Sequence, residues 1–467
     1  MIQLMHIFTL CKPYLLCHKY TLVIYISLTL TTAAIAILSP FILGDFIDNL
    51  IQGADVYTIL RFCFIFGGLS LLRIVKGYIT SLLYVKMQNK MGYDFNKSII
   101  QHIQRISLSY TNQKDIAYIS NRVNGDTSSL IGFSITVLQH IVTHSIMLVL
   151  PFFILFTLNR LITLLMIFFL GIYLLMYFAY KKRLYEAGFA LRESQAHFFS
   201  KLLEQLKYIK LIKINAIQKE INQRSDEKYT EFNHDAVCNQ KVHYMYTSMD
   251  GIISTIAQIV LFVVGGLQIL YGHFTIGMFT IFTAYFNQML GAVRYFYGLG
   301  ASYQQVMTSY DRVQEILNQP PETYGTIVPA RIDNIAFHHV GFAYSRNGCH
   351  QVIHNFNTSF TKGNIYSITG ANGVGKSTLI NLMMGLYISE FSGKITYNDT
   401  NIYQINMNAT RRNYIGYAAQ EPELINDSVL YNLTFCNNHG HINRSHIEDC
   451  IKILNMTEFF KKMDSIL

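Results

Sequence analysis

The sequence predicts an α-helical, six-span transmembrane domain followed by an incomplete α/β domain built around a P-loop, and three observations carry that prediction. Hydrophobic residues make up 51% of the 467 and charged residues only 14%, with a mean hydropathy of +0.25; in soluble domains about a quarter of residues are charged. Six apolar stretches reach the roughly 20 residues that a bilayer crossing needs. Past residue 330 the pattern changes to short alternating runs, which lead into the glycine-rich turn Gly370-Ala-Asn-Gly-Val-Gly375-Lys376-Ser377-Thr378.

The predicted spans fall near 20–41, 59–85, 130–158, 161–180, 252–271 and 276–299. Only Asn159-Arg160 separates the third from the fourth, so these two form a tight hairpin. An even number of spans returns both ends to one side, and Lys/Arg placement selects that side. Segment 42–58 holds Asp45, Asp48 and Asp55 without a Lys or Arg, and 271–275 has no Lys or Arg either. Segment 181–243 carries twelve Lys/Arg and 86–122 six. Both termini and both long loops of this multi-pass protein are therefore predicted to be cytoplasmic. The long loops are too apolar and too periodic for disorder; they are expected to continue the membrane helices into the cytosol.

Asn318-Gln-Pro320-Pro321-Glu322 ends the last helix, since proline cannot continue it. The expected division is a membrane domain over 1–318, a linker over 319–330 and a partial α/β domain over 331–467. The latter begins with strand-like runs, Asn334-Ile-Ala-Phe337 and Val340-Gly-Phe342-Ala-Tyr344. Ile365-Tyr-Ser-Ile-Thr369 reads as a buried strand, and Leu379, Leu382, Met383 and Leu386 recur at helical spacing. A strand, a glycine turn and a helix N-terminus together point backbone N–H groups at the phosphates of a nucleotide.

The net charge of +9 and the pI near 9.0 admit nucleic acid, anionic lipid or a cytoplasmic face. The basic residues are spread between apolar spans rather than gathered on one domain, which names the lipid bilayer as partner and excludes nucleic acid. Seven cysteines, with no Cys-x-x-Cys and no Cys/His metal spacing, read as reduced thiols. The N-terminal apolar run passes into a full span without a small-residue cleavage site, unlike a signal peptide.

Six spans followed by a P-loop domain resemble the half-size ATP-binding cassette exporters. Ser107-Leu-Ser-Tyr110 through Asp115-Ile-Ala-Tyr-Ile-Ser-Asn-Arg122-Val-Asn-Gly-Asp126 is similar to the first cytoplasmic coupling loop of that family. Gly272-His-Phe-Thr275-Ile-Gly277 and Tyr310-Asp-Arg312-Val-Gln-Glu-Ile-Leu317 resemble the start and the cytoplasmic end of its sixth helix. The resemblance implies a nucleotide-binding domain that takes ATP and Mg2+, in a dimer with a second half-transporter, identical or different. Gly370, Asn372, Gly373, Val374, Gly375, Lys376, Ser377 and Thr378 would form the phosphate site. Lys376 would neutralise the β- and γ-phosphates, Ser377 would bind Mg2+, and the N–H groups from Gly373 to Thr378 would cradle the phosphates. Tyr344 matches the adenine-stacking loop, where an aromatic contact is worth about 1–3 kcal/mol; the plainer reading is an aromatic on a strand face. Gln420, 43 residues beyond Ser377, resembles the glutamine that ligates Mg2+. Asp399 stands where the family commonly has a turn glycine.

The family's LSGGQ-type signature, its Walker B strand ending in Asp-Glu and its switch histidine have no counterpart in these residues. The run from Ile451 resembles the helical subdomain shortly before the signature. The expectation is therefore a C-terminally truncated chain without assigned catalytic residues, not competent for hydrolysis alone. A Walker B strand contributes roughly 10 kcal/mol of burial, so its loss would leave the domain poorly folded by itself. A membrane remnant that at most binds ATP stays open as an alternative. A P-loop GTPase would need Asn-Lys-x-Asp, which does not occur.

Cargo is least legible. Arg73 and Lys76 lie in the second span and Arg294 near the inner end of the sixth. Such charges face a cavity or snorkel to the interface. About 19 residues precede the first span, too few for a leader peptidase, so Cys11 and Cys17 read as membrane-edge thiols. Export without leader cleavage resembles the lantibiotic and bacteriocin branch and implies an exported peptide; lipid and drug export remain alternatives. Runs rich in Ile, Asn, Lys and Tyr, with no Trp, fit an AT-rich bacterial gene and a bacterial cell membrane.

Overall fold

In a bilayer only closed hydrogen-bonding patterns satisfy the backbone, so long apolar runs fold as helices. The computed structural model describes residues 2–112, 114, 119–120, 122–344, 351–388, 390–420, 422–434 and 444–458. It divides into two units, Met1–Pro321 and Glu322–Leu467. The first contains α1 (Ile2–Cys17), α2 (Lys19–Ile51), α3 (Val56–Ile103), α4 (Leu108–Asn112), a π-helical turn (Arg122–Asp126), α5 (Thr127–Leu158), α6 (Arg160–Lys207), α7 (Ile209–Asn215), α8 (Gln218–Leu270) and α9 (Ile276–Leu317). Among the described residues six helices are long and apolar enough to cross a membrane.

The long loops are helix. α8 runs for 53 residues, about 80 Å at 1.5 Å per residue. Its N-terminal half pairs with the distal half of α6 through Phe198 stacked on Phe232, ring centres 5.7 Å apart. The α5–α6 hairpin turns at Asn159, whose side chain accepts from the Ile162 N–H at 3.1 Å and caps α6.

Two apolar clusters hold the helices together. One gathers Ile7 and Cys11 of α1 with Met91, Phe95, Leu130 and Val313. The other gathers Leu155, Ile162, Tyr173, Leu261, Phe282 and Phe286. Burial pushes the Cys11 thiol up to about 11, which makes it a packing group and not a nucleophile. Cys17 is exposed.

α2 and α9 meet at two glycines. A Cβ on Gly277 would lie 2.1 Å from the Gly44 carbonyl oxygen, so only glycine permits this approach. The Asp48 carboxylate then caps α9, accepting from the Gly277 N–H at 2.7 Å and the Thr275 hydroxyl at 2.6 Å. In the segment read as a coupling loop, buried Asp126 accepts from Ser309 Oγ at 2.8 Å and Arg122 Nη1 at 3.1 Å. Residues 115–118 and 121 of that reading lie outside the described residues.

The second unit contains β1 (Asn334–Ala343), β2 (Gln351–Thr361), α10 (Lys376–Met383), β3 (Phe391–Tyr397), β4 (Thr400–Asn401), α11 (Met407–Tyr414), α12 (Val429–Thr434) and α13 (Arg444–Ile453). The sheet order is β2-β1-β3-β4, with every neighbouring pair antiparallel. The two strand-like runs at its start form one bulged strand, β1. Asn398 and Asp399, at φ +46° and +67°, make the β3–β4 turn, so Asp399 does adopt the left-handed conformation. Part of the segment read as linker joins this unit: Gly325 N–H donates to Ile405 and Ile327 N–H to Gln404, each at 3.0 Å.

The expected buried strand at Ile365–Thr369 is not observed. Ile365 is fully exposed, Tyr366 and Ile368 are exposed, and no described strand pairs with the segment. A parallel strand is buried only between neighbours, and none of the described strands flanks this one. Tyr366 fastens it instead to the end of β2, its hydroxyl accepting from the Thr361 N–H at 3.0 Å. The bonds from Thr361 and Asn364 hold the Tyr366 phenol below its usual range.

Candidate functional site

The site is built on the turn between Thr369 and α10. Gly373 and Gly375 adopt φ +85° and +99°, a region that L-residues enter only with strain. A Cβ on Gly375 would also lie 2.9 Å from Val352 Cγ1, so β2 packs directly beneath the turn. Gly375 is the N-cap of α10, and the first N–H groups of that helix, with no intrahelical partners, open at the turn.

Lys376 folds over this opening. Its Nζ donates to the carbonyls of Gly370 and Ala371, both at 2.8 Å. The ammonium is therefore held at the same turn that the helix N-terminus faces, and cation, N–H donors and helix dipole all favour one anion. Ser377 is exposed beside it and Thr378 is buried. Thr378 Oγ1 lies 2.8 Å from the Tyr344 hydroxyl, which brings the predicted aromatic to the P-loop helix. The Tyr344 ring meets Phe342 and Tyr387 edge-to-face at 4.9 and 5.7 Å and remains 42% exposed.

Gly370, Asn372, Gly373, Val374, Gly375, Lys376, Ser377, Thr378 and Tyr344 thus share one region. Gln420 does not join them through any hydrogen bond among the described residues; it is exposed on the segment after α11. Its neighbour Glu421, and residues 459–467 at the end of the chain, lie outside the described residues. These positions fit a nucleotide: a phosphate finds a positive helix end and an ammonium, Mg2+ finds the Ser377 hydroxyl, and a base finds a partly exposed ring. Among the described residues no cluster of His, Cys, Asp and Glu suits a protein-only metal site.

Sequence reasoning missed four polar contacts. The Tyr344–Thr378 bond joins residues 34 apart in sequence. The Arg294 Nη2–Asp250 Oδ2 ion pair, at 2.7 Å, gives one of the candidate cavity charges a partner on α8. Near the second unit's start, Arg411 Nη2 donates to the Tyr324 hydroxyl at 3.1 Å, and Tyr324 donates to Glu322 Oε2 at 2.5 Å. Burial nonetheless raises the Glu322 carboxyl above its usual range. By contrast, Arg122–Asp126 could have been anticipated from its i, i+4 spacing.

A sequence profile of the ABC transporter transmembrane region matches residues 22–293, and a profile of the ABC transporter domain matches 353–465. A putative ABC transporter ATP-binding protein of Streptococcus pneumoniae is 24% identical over 423 residues, covering 87% of this chain and 70% of that protein. An uncharacterized ABC transporter ATP-binding protein of Bacillus subtilis is 24% identical over 452 residues, 93% of this chain and 71% of its own length. A putative multidrug export ATP-binding/permease protein of Staphylococcus aureus is 26% identical over 367 residues, 76% of this chain and 62% of its own length. With the transmembrane profile alone matching more than half of its residues, the chain belongs to the ABC transporter family, carrying a transmembrane region and an ABC domain in one polypeptide.

Proposed function

We propose that the chain is one subunit of an ATP-driven exporter that carries a peptide, a lantibiotic or a bacteriocin-like one, out of a bacterial cell. It works with a second half-transporter, identical or different. The observation that carries this reading is the convergence of Lys376 and the α10 N-terminus on one anion position, in a chain that also holds six membrane-length helices. Lys376 holds the β- and γ-phosphates, and the N–H groups from Gly373 to Thr378 orient them. Ser377 would hold Mg2+, and Gln420 would join it there as the family resemblance implies. Tyr344 carries the adenine, with its hydroxyl anchored on Thr378. ATP, when bound, supplies the free energy that drives transport. The Lys/Arg asymmetry supports a multi-pass protein of the cell membrane with both termini in the cytoplasm.

The Staphylococcus relative, named as a putative multidrug export protein, favours a second reading, in which the cargo is a drug. One experiment separates the two: peptide in the culture medium and retention of a hydrophobic dye are measured in cells bearing the wild-type chain or Lys376→Ala. Peptide export predicts that the variant lowers secreted peptide and leaves dye retention unchanged. The opposite pattern would replace peptide by drug, and no change in either would overturn the exporter reading.

A further inference from the structure

We infer that the first unit holds a binding site for an amphiphile bearing an anionic group, with Arg73 as its counter-charge; its role as a cargo site rests on the exporter reading. A cavity of about 520 Å³ lies between α2, α3 and α5, within the usual size of a small-ligand pocket. Arg73 lines it, and no Asp or Glu does. Among the described residues Arg73 has no ion-pair partner, unlike Arg294.

Position in the fold separates a cavity role from snorkelling. Arg73 stands near the middle of the apolar run 59–85 of this helix, a run longer than the roughly 30 Å hydrocarbon core. Its side chain lines the cavity between α2, α3 and α5, which favours the cavity role over snorkelling. A charge at that depth is stable where water or an anion enters the cavity with it.

The other polar groups refine the ligand. The Tyr25 hydroxyl donates to Gln139 Oε1, which leaves the Gln139 amide N–H groups as donors. His140, packed against Tyr295 with ring centres 4.9 Å apart, adds a ring nitrogen to the same wall. Thr29, Thr32 and Thr80 donate their hydroxyls to carbonyls of their own helices at 2.8–2.9 Å, so they present lone pairs to the cavity. Ala33, Ala36 and Met147 supply apolar surface. The chemistry that fits is one anion at Arg73, amide or ammonium N–H donors facing the threonines, and an apolar body. An apolar peptide with a free C-terminal carboxylate meets all three demands, and an anionic phospholipid without an ammonium group meets the first and third.

The test uses the full chain in phosphatidylcholine nanodiscs and two fluorescent probes, an N-dansyl apolar hexapeptide with a free C-terminal carboxylate and its C-terminal amide. The free acid should bind about tenfold or more tightly than the amide, the range set by a charge-assisted bidentate contact. Arg73→Gln should abolish that preference, Arg73→Lys should retain most of it, and Lys76→Gln, on the same helix, should leave it intact. Equal binding of acid and amide by the wild type, or an undiminished preference in Arg73→Gln, would overturn the site. Phosphatidylglycerol added to the nanodiscs identifies the anion's source. Displacement of the acid probe from wild type supports the anion site and assigns it to lipid headgroups, whereas no displacement supports it as a carboxylate site. Charge-blind binding would sink this site alone, whereas unchanged peptide secretion together with unchanged dye retention in the Lys376→Ala cells would sink the exporter reading alone.

Discussion

Gly375→Ala isolates the shape of the P-loop from its charge. The substitution removes no hydrogen-bonding group and no cation, yet it places a Cβ at φ +99° and 2.9 Å from Val352 Cγ1. An L-residue in left-handed backbone costs about 1–2 kcal/mol. The contact with Val352 adds to this, because β2 must shift by several tenths of an ångström. If the turn relaxes to avoid a penalty of about 2 kcal/mol, nucleotide affinity falls about 30-fold. The assay is a titration of the full chain with a fluorescent ATP analogue. Gly416→Ala is the control, since a Cβ there meets nothing within 4 Å. Affinity within twofold of wild type for Gly375→Ala would refute the view that this backbone geometry holds the phosphates.

Two further substitutions test the frame around the site. Gly277→Ala forces α2 and α9 apart at a contact where the new Cβ would lie 2.1 Å from the Gly44 oxygen, and it disturbs the Asp48 cap. Thermal unfolding in detergent should show a loss of about 2–3 kcal/mol, while Gly266→Ala, with open space around it, should show none. Glu322→Gln tests the buried carboxyl. Its folded-state pKa is raised by burial, so its contribution to stability is fully present below the unfolded-state value and is lost as pH rises through the folded one. The variant should therefore unfold at a higher temperature than wild type at pH 7, and the difference should vanish by pH 4. A constant difference across that range would show that ionisation of Glu322 is not involved.

Local patterns were readable where a residue's neighbours in space are also its neighbours in sequence. The six long helices follow from apolar length, the α5–α6 turn from Asn159-Arg160, and the P-loop from glycine spacing. The left-handed Asp399 follows from what an Asp side chain tolerates. Long-range partners were not readable. Nothing in the sequence pairs Asp48 with Gly277, or Arg294 with Asp250, because those contacts depend on how helices pack. The strand expected at Ile365–Thr369 fails for the same reason: its β-branched residues describe a preference, and only a flanking strand turns the preference into a ladder. Arg73 was legible as a charge in an apolar run, but its cavity required three helices to be placed.

The most direct measurement is equilibrium binding of ATP with Mg2+ to the purified full chain, wild type against Lys376→Ala. Lys376 is held at the turn before α10 by two 2.8 Å bonds to Gly370 and Ala371. Loss of its ammonium removes charge-assisted contacts worth about 1.5–3 kcal/mol, which predicts an affinity ten- to a hundredfold lower. Equal affinity of the two proteins, or no saturable ATP binding by the wild type, would contradict a nucleotide site at this turn.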